Sequence, residues 1–246
     1  MDEHFRNTYE DRQRAASYAK LEFPGTYHLA FRDLPDILTT HLAGKRALDF
    51  GCGTGRSTRF LRDLGFEVTG VDISPEMLRL AGNNDPAGDY RLVEAGVPMD
   101  FDPGSFDLVL AAYPFDNIPS ADAKTGILQD LGRLLRPGGR IFNLVSSPEI
   151  YVNEWVSFST RDYPENAGAV SGDVVRIVML DVDDARPVED VLWTHESYLE
   201  VYEAAGLETE AVYRPLGRPE EDFPWDTELV TAPWVIYVLK PVSPAV

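Results

Sequence analysis

Arg46-Ala47-Leu48-Asp49-Phe50-Gly51-Cys52-Gly53-Thr54-Gly55-Arg56 is the stretch on which the fold turns. Its first half is a short apolar run broken by one acid, the pattern of a strand buried on both faces. Its second half sets glycine at alternate positions, where the lack of a Cβ lets the chain turn sharply and a ligand come close. Residues 57–64 then read as a helix stopped by Gly65. The turn therefore faces the first N–H groups of a helix, which have no helical partner. Its spacing sets it apart from two other nucleotide loops. The dinucleotide fingerprint G-x-G-x-x-G requires glycine at 56, where this chain has Arg, and no Lys-Ser or Lys-Thr follows to complete a Walker A loop.

Strand and helix alternate onward from this turn. Strands are predicted at 67–71, 90–94, 106–112 and 140–145. Ser74-Pro75-Glu76-Met77 starts a helix, with Ser as N-cap and Pro at the first helical position. Residues 121–135 form an amphipathic helix with Ile127, Leu128, Leu131, Leu134 and Leu135 on one face, halted by Arg136-Pro137-Gly138-Gly139. Such alternation builds a parallel sheet covered by helices on both faces. Residues 1–44 read as a helical cap rich in aromatics, broken at Phe23-Pro24-Gly25. Residues 147–193 break the rhythm and read as an inserted lid, with strands at 174–180 and 188–193. A helix at 195–205 and strands at 208–213 and 234–239 close the chain.

The 246 residues suit one α/β domain. With 44% apolar and 26% charged residues, the chain has the balance of a folded soluble protein. Cys52 is the only cysteine, so no intrachain disulfide forms; it reads as a small packing residue in a reducing compartment. The N-terminus shows no signal-peptide pattern and no apolar run is long enough to cross a membrane, so a cytoplasmic location without a membrane partner is expected. Net charge is −19, from 22 Lys+Arg against 41 Asp+Glu. Such a surface repels phosphodiester backbones, so no nucleic-acid partner is expected. The charge serves solubility, or, on a sharper reading, attracts an amine-bearing substrate. His4, His28, His41 and His195 show no metal spacing, and no metal is expected. Oligomeric state is not legible.

Two carboxylates flank the glycines. Asp49 precedes them, where a negative charge suits a cationic amine rather than a pyrophosphate. Asp72 ends the second strand, where a carboxylate takes both hydroxyls of a ribose. With these, 47–55 resembles motif I of the class I methyltransferases that use S-adenosyl-L-methionine (SAM). Gly70-Val71-Asp72-Ile73-Ser74-Pro75-Glu76-Met77 resembles their second motif, Ser105-Phe106-Asp107-Leu108-Val109 their fourth strand, and Leu135-Arg136-Pro137-Gly138-Gly139 the turn before strand five. The resemblance is close over 45–146 and topological over 190–240. It implies a doubly wound, mostly parallel sheet of seven strands with the last antiparallel, carrying a helical cap and a lid after strand five.

The resemblance also implies roles. Gly51 and Gly53 approach SAM, Asp49 orients its amino group, and Asp72 holds the ribose. Ile73 and Met77 sandwich the adenine, although ordinary helix–sheet packing explains Met77 equally well. The acid that relatives place after strand three is missing here. Ala95 stands at the aligned position, so backbone groups of Ala95 and Gly96 take over and Glu94 is a doubtful substitute. Ala112 lies at the methionine end, Tyr18 and Tyr27 cover the cofactor, and Arg32 meets its carboxylate. For a small-molecule acceptor the expected contacts are Tyr113, Tyr151 and Trp155, with Phe158 and Tyr163 adding aromatic surface. Candidate catalytic groups are Tyr113, Asp116 and His195; Asp116 fits a loop cap, and His195 a helix cap, as readily as a base. Methyl transfer needs little acid–base help, because alignment with an activated methyl supplies much of the rate. The implied activity is methyl transfer to O, N or C. Two alternatives stay open: another reaction class on the same fold (cyclisation or hydrolysis), or a non-catalytic SAM-binding partner of a second subunit.

Overall fold

The computed structural model describes residues 21–242. The part of the expected helical cap at 1–20, including Tyr18, lies outside the described residues. Two short helices follow, α1 (Thr26–Arg32) and α2 (Leu34–His41). The alternation then runs β1 (Arg46–Phe50), α3 (Arg56–Asp63), β2 (Glu67–Asp72), α4 (Pro75–Asn84), β3 (Asp89–Leu92), β4 (Phe106–Ala112), α5 (Ala121–Leu134) and β5 (Leu135–Ser146). After the lid come α6 (His195–Ala204), β9 (Leu207–Tyr213) and β10 (Trp234–Pro241).

The strands form one seven-stranded sheet in the order β3-β2-β1-β4-β5-β10-β9. β1 pairs in parallel with β2 and β4, and β4 with β5, whereas β10 runs antiparallel between β5 and β9. The strand order reverses at β1/β4, and in open sheets of this kind ligands bind outside the carboxyl ends at that reversal. Side chains alternate between two cores. Leu108 and Leu110 of β4, Phe142 and Leu144 of β5, and Ile236 and Val238 of β10 pack with α1, α2 and α3. Val109, Ala111, Ile141, Val145, Val235 and Tyr237 pack with α5 and α6 on the other face. Each Val, Leu, Ile or Phe side chain so taken from water contributes roughly 1.5–3 kcal/mol.

The boundaries moved in places with physical causes. β5 begins at Leu135 rather than at 140, because Leu135 pairs with Phe106 before the ladder resumes at Leu108↔Arg140. The Pro-Gly-Gly turn is looped out as a bulge, and Gly139 is packed too tightly for a Cβ, which would stand 3.0 Å from the Arg136 carbonyl oxygen. The lid region holds a separate antiparallel sheet, β6 (Phe158–Ser159), β7 (Val174–Met179) and β8 (Val188–Val191). The two-residue β6 is too short to leave a periodic signal. No helix among the described residues is long and apolar enough to cross a membrane.

Candidate functional site

All three glycines after β1 take left-handed backbone, φ 71° at Gly51, 53° at Gly53 and 80° at Gly55. Their surroundings differ. A Cβ on Gly51 would stand 2.6 Å from Cβ of Pro114, and one on Gly55 would stand 2.4 Å from the Tyr90 hydroxyl. A Cβ on Gly53 would meet no atom within 4 Å. Gly51 and Gly55 thus let the protein pack on itself, while Gly53 faces open space that a side chain would fill.

Asp72 organises this turn. One carboxylate oxygen accepts from the Gly53 N–H at 2.8 Å and the other from the Ser74 N–H at 2.8 Å. Burial raises its pKa and these backbone donors oppose the rise. Beside it the apolar side chain of Ile73 is exposed, as are Leu92 and Val97 near the turn holding Ala95 and Gly96, while Met77 is buried. Three exposed apolar side chains near a carboxylate that pins the loop suit a flat aromatic base on a ribose. Asp49 lies beneath, fully buried. Its Oδ2 accepts from Ser57 Oγ (2.7 Å) and Thr58 Oγ1 (2.6 Å), while Oδ1 meets no protein donor. Burial lifts the Asp49 carboxyl to about 6. Open space at Gly53, a buried carboxylate oxygen without a donor and the exposed Ile73 together fit a ligand with a cationic end, a ribose and a base.

Pro114, which abuts Gly51, begins the 3₁₀ turn Pro114–Asn117. The residue before it, Tyr113, is the one non-glycine among the described residues with positive φ, 72°. That conformation costs about 1–2 kcal/mol, and here the surroundings hold it: the Tyr113 N–H donates to the Leu144 carbonyl at 2.8 Å. The Tyr113 ring packs 4.8 Å from Trp234 and 6.1 Å from Tyr27, and Tyr27 stacks on Trp234 at 5.7 Å. These rings wall a cleft whose far side is the three-stranded sheet, through Phe158, Met179, Val188 and Asp190.

The cleft's polar groups are Asp116, Asn117, Ser146 and Asp190. Asp116 is buried and accepts from Ser146 N–H (3.1 Å) and Oγ–H (2.8 Å). Asp190, partly exposed, accepts from the Tyr151 hydroxyl at 3.1 Å through Oδ2. Burial pushes both carboxyls upward. Behind them Lys124 is fully buried, donates to the Phe115 carbonyl, and has the Trp193, Tyr198 and Phe115 rings 4.8, 5.4 and 5.8 Å from its ammonium. Burial depresses the Lys124 pKa, and Asp116 and Asp190 resist the fall.

Of the residues named from sequence, Tyr27, Tyr113, Asp116, Tyr151 and Phe158 come together at this cleft. Gly51, Gly53, Asp49, Asp72 and Ile73 cluster around the glycine turn, and Ala112 ends β4 beside Tyr113. Three others stand elsewhere. Arg32 is engaged by Asp33 (2.7 Å) and Glu221 (2.8 Å), so its guanidinium is committed to carboxylates of the protein itself. His195 contacts the Tyr237 hydroxyl at 2.8 Å and stacks on that ring, behind a cap supplied by Thr194. Trp155 is buried within the lid, its indole N–H donating to the Ile150 carbonyl at 2.9 Å. Sequence reading missed Asp190, Ser146 and Trp234. For Asp190 a signal existed: it shares a strand face with the buried Val188, two residues away, so the period of two turns it inward.

Comparison with known proteins agrees with this geometry. A family model described as a methyltransferase domain matches residues 48–143. A ubiquinone biosynthesis O-methyltransferase from Burkholderia ambifaria (strain MC40-6) is 30% identical over 197 residues, 72% of this chain and 72% of that protein. A demethylmenaquinone methyltransferase from Tropheryma whipplei (strain Twist) is 40% identical over 102 residues, 40% of this chain and 41% of that protein, so this alignment spans less than half of the relative. The structure of the CcbJ methyltransferase from Streptomyces caelestis superposes with a TM-score of 0.67 over 97% of this chain and 100% of that one, at 17% identity, a likeness of fold. With its glycine turn, its strand order and a relative matched over most of both lengths, the chain belongs to the class I SAM-dependent methyltransferases.

Proposed function

We propose that this chain moves the methyl group of SAM onto a nucleophilic atom of a small acceptor seated in the cleft between the sheet's carboxyl edge and the three-stranded lid sheet. The observation that carries this reading is the contact of Gly51 with Pro114. Through it the turn that would cradle the cofactor abuts the turn that carries Asp116 and Asn117 into the cleft. When bound, SAM supplies a methyl group already activated by a sulfonium. The chain's own part is to bind, orient and exclude water. Gly53 leaves room, Asp72 holds the ribose hydroxyls, Ile73 and Met77 flank the adenine, and backbone groups of Ala95 and Gly96 meet its edge. Asp49 places negative charge beneath the cationic end. Across the boundary, the rings of Tyr27, Tyr113 and Trp234 align an acceptor and keep water out, and such alignment is where much of the rate of a methyl transfer arises.

Asp72→Ala tests the cofactor half. It should weaken SAM binding by about 1.5–3 kcal/mol, because the hydroxyls and the Gly53 N–H lose a charged acceptor together. Calorimetric titration with SAM and with NAD measures it, and equal SAM affinity in a folded variant removes Asp72 from the site. Formation of S-adenosylhomocysteine in the presence of a small-molecule panel tests the transfer itself.

A further inference from the structure

The lining of the acceptor cleft is unbalanced in charge. Among the described residues it holds two carboxylates, Asp116 and Asp190, and no Lys, Arg or His. The nearby cation, Lys124, is absent from the lining, its ammonium turned onto the Phe115 carbonyl and among three rings. Asp190 spends one oxygen on Tyr151, and its Oδ1 meets no donor from the described residues. The Asn117 side chain also lines the cleft, with no protein hydrogen-bond partner among the described residues. The rings of Tyr27, Tyr113 and Trp234 line the same cleft, with Tyr27 stacked on Trp234 and the Arg56 guanidinium 5.0 Å from the Tyr27 centroid; such rings attract a cation stripped of part of its water.

We infer that the acceptor is a small amine that arrives protonated, seated against the Tyr27–Tyr113–Trp234 wall and paired with the Asp190 carboxylate. This rests on the reading of the cleft as the acceptor site. An acceptor that reacts as an anion, a phenolate or a carboxylate, would meet two carboxylates there and no cation in the lining. A protonated amine supplies the cation that this lining lacks, and the Asp190 carboxylate faces it. The surface charge of −19 favours the encounter with cations.

Asp190 then has a second task. An ammonium has no lone pair, so one proton must leave nitrogen before the methyl arrives. Asp190 Oδ1 takes that proton, the freed lone pair forms the N–C bond, and the C–S pair returns to sulfur as the neutral thioether forms. The product is again an ammonium, and the balance of the reaction is one proton released through Asp190. Its surroundings suit a proton acceptor. Burial raises the affinity of Asp190 for a proton, the Asp116 charge on the neighbouring turn raises it further, and Lys124 on α5 and the Tyr151 hydroxyl oppose. Asp116, held by Ser146 and near Tyr198 of α6, stays the fixed charge of the pair.

Three probes that share a phenyl ring and differ in charge test this: 2-phenylethylamine, 2-phenylethanol and 3-phenylpropionate, each titrated calorimetrically into protein saturated with S-adenosylhomocysteine. The amine should bind at least about tenfold more tightly than the alcohol, with the carboxylate weakest. Asp190→Asn should erase most of that preference, Asp190→Glu should restore part of it, and S-adenosylhomocysteine affinity should stay within about threefold in both, since Asp190 lies outside the glycine turn. Alcohol or carboxylate binding as tight as the amine, no measurable amine binding, or an amine preference that survives Asp190→Asn overturns the inference. Failure of the wild-type protein to bind S-adenosylhomocysteine is seen before any probe is added, and strikes the underlying cofactor reading instead.

Discussion

The glycine turn and the cleft proposed for the acceptor lie side by side and are built in opposite ways. The turn is local. Residues 49–58 and Asp72 make it, and its working parts are mostly backbone: left-handed glycines, the N–H groups that Asp72 holds, and open space at Gly53. The cleft is assembled from Tyr27, Tyr113, Asp190 and Trp234, side chains brought from four separate parts of the chain. A backbone site serves a ligand that is always the same. A side-chain site changes with each substitution, which is how one fold serves different acceptors.

The sharpest way to break this contrast is Trp155→Ala. With its ring buried and its N–H bonded to Ile150, removal should cost roughly 3–5 kcal/mol of stability and disturb the lid on which Asp190 is carried. Thermal melts beside S-adenosylhomocysteine titrations separate the two halves. Loss of melting temperature with retained cofactor affinity supports independent halves; a melting temperature close to wild type shows instead that the indole moves freely over a ligand.

A pair of glycine variants gives the next largest effect. Gly51→Ala sets a left-handed alanine against Pro114 and should cost about 2–3 kcal/mol of stability. Gly53→Ala carries only the conformational penalty, about 1 kcal/mol, yet should lower SAM affinity more than its stability loss accounts for, because the new methyl occupies ligand space. Equal SAM affinity in Gly53→Ala and wild type would mean that the space at Gly53 is plain solvent.

The smallest effect is one of pH. Burial is the main cause that lifts Asp49 to about 6, with Asp72 adding to it and Arg56 opposing. A carboxyl whose folded value exceeds its unfolded one stabilises the fold most below about pH 4, and that contribution is lost as pH rises through about 6. Without ligand, the melting temperature of wild type should therefore fall relative to Asp49→Asn across that window. A cation above Asp49 favours the ionised form, so SAM affinity should rise by up to about tenfold from pH 5 to pH 7 in wild type and stay nearly flat in Asp49→Asn. Identical pH profiles in the two proteins would detach Asp49 from the cofactor.

What the sequence determined by itself is everything set by neighbours in the chain. Glycine at 51, 53 and 55 permits one sharp turn, Ser74-Pro75 starts one helix, and the alternation from 46 to 146 permits one kind of sheet, because each depends on backbone freedom and periodicity within a few residues. Asp49 and Asp72 were legible for the same reason. The cleft was legible only in part: Tyr113, Asp116, Tyr151 and Phe158 were named, while Asp190, Ser146 and Trp234 were not. Trp234 reads as the start of a strand, Asp190 as a polar strand residue, and Arg32 as a free cation beside the cofactor until Asp33 and Glu221 are seen to hold it. Tyr27 reads as a cofactor cover, and in the fold it stacks on Trp234. Their roles follow from which side chains meet across the fold. That meeting is decided by the antiparallel entry of β10 beside β5 and by the folding of residues 158–191 into a second sheet, contacts between residues far apart in the chain that no local pattern encodes.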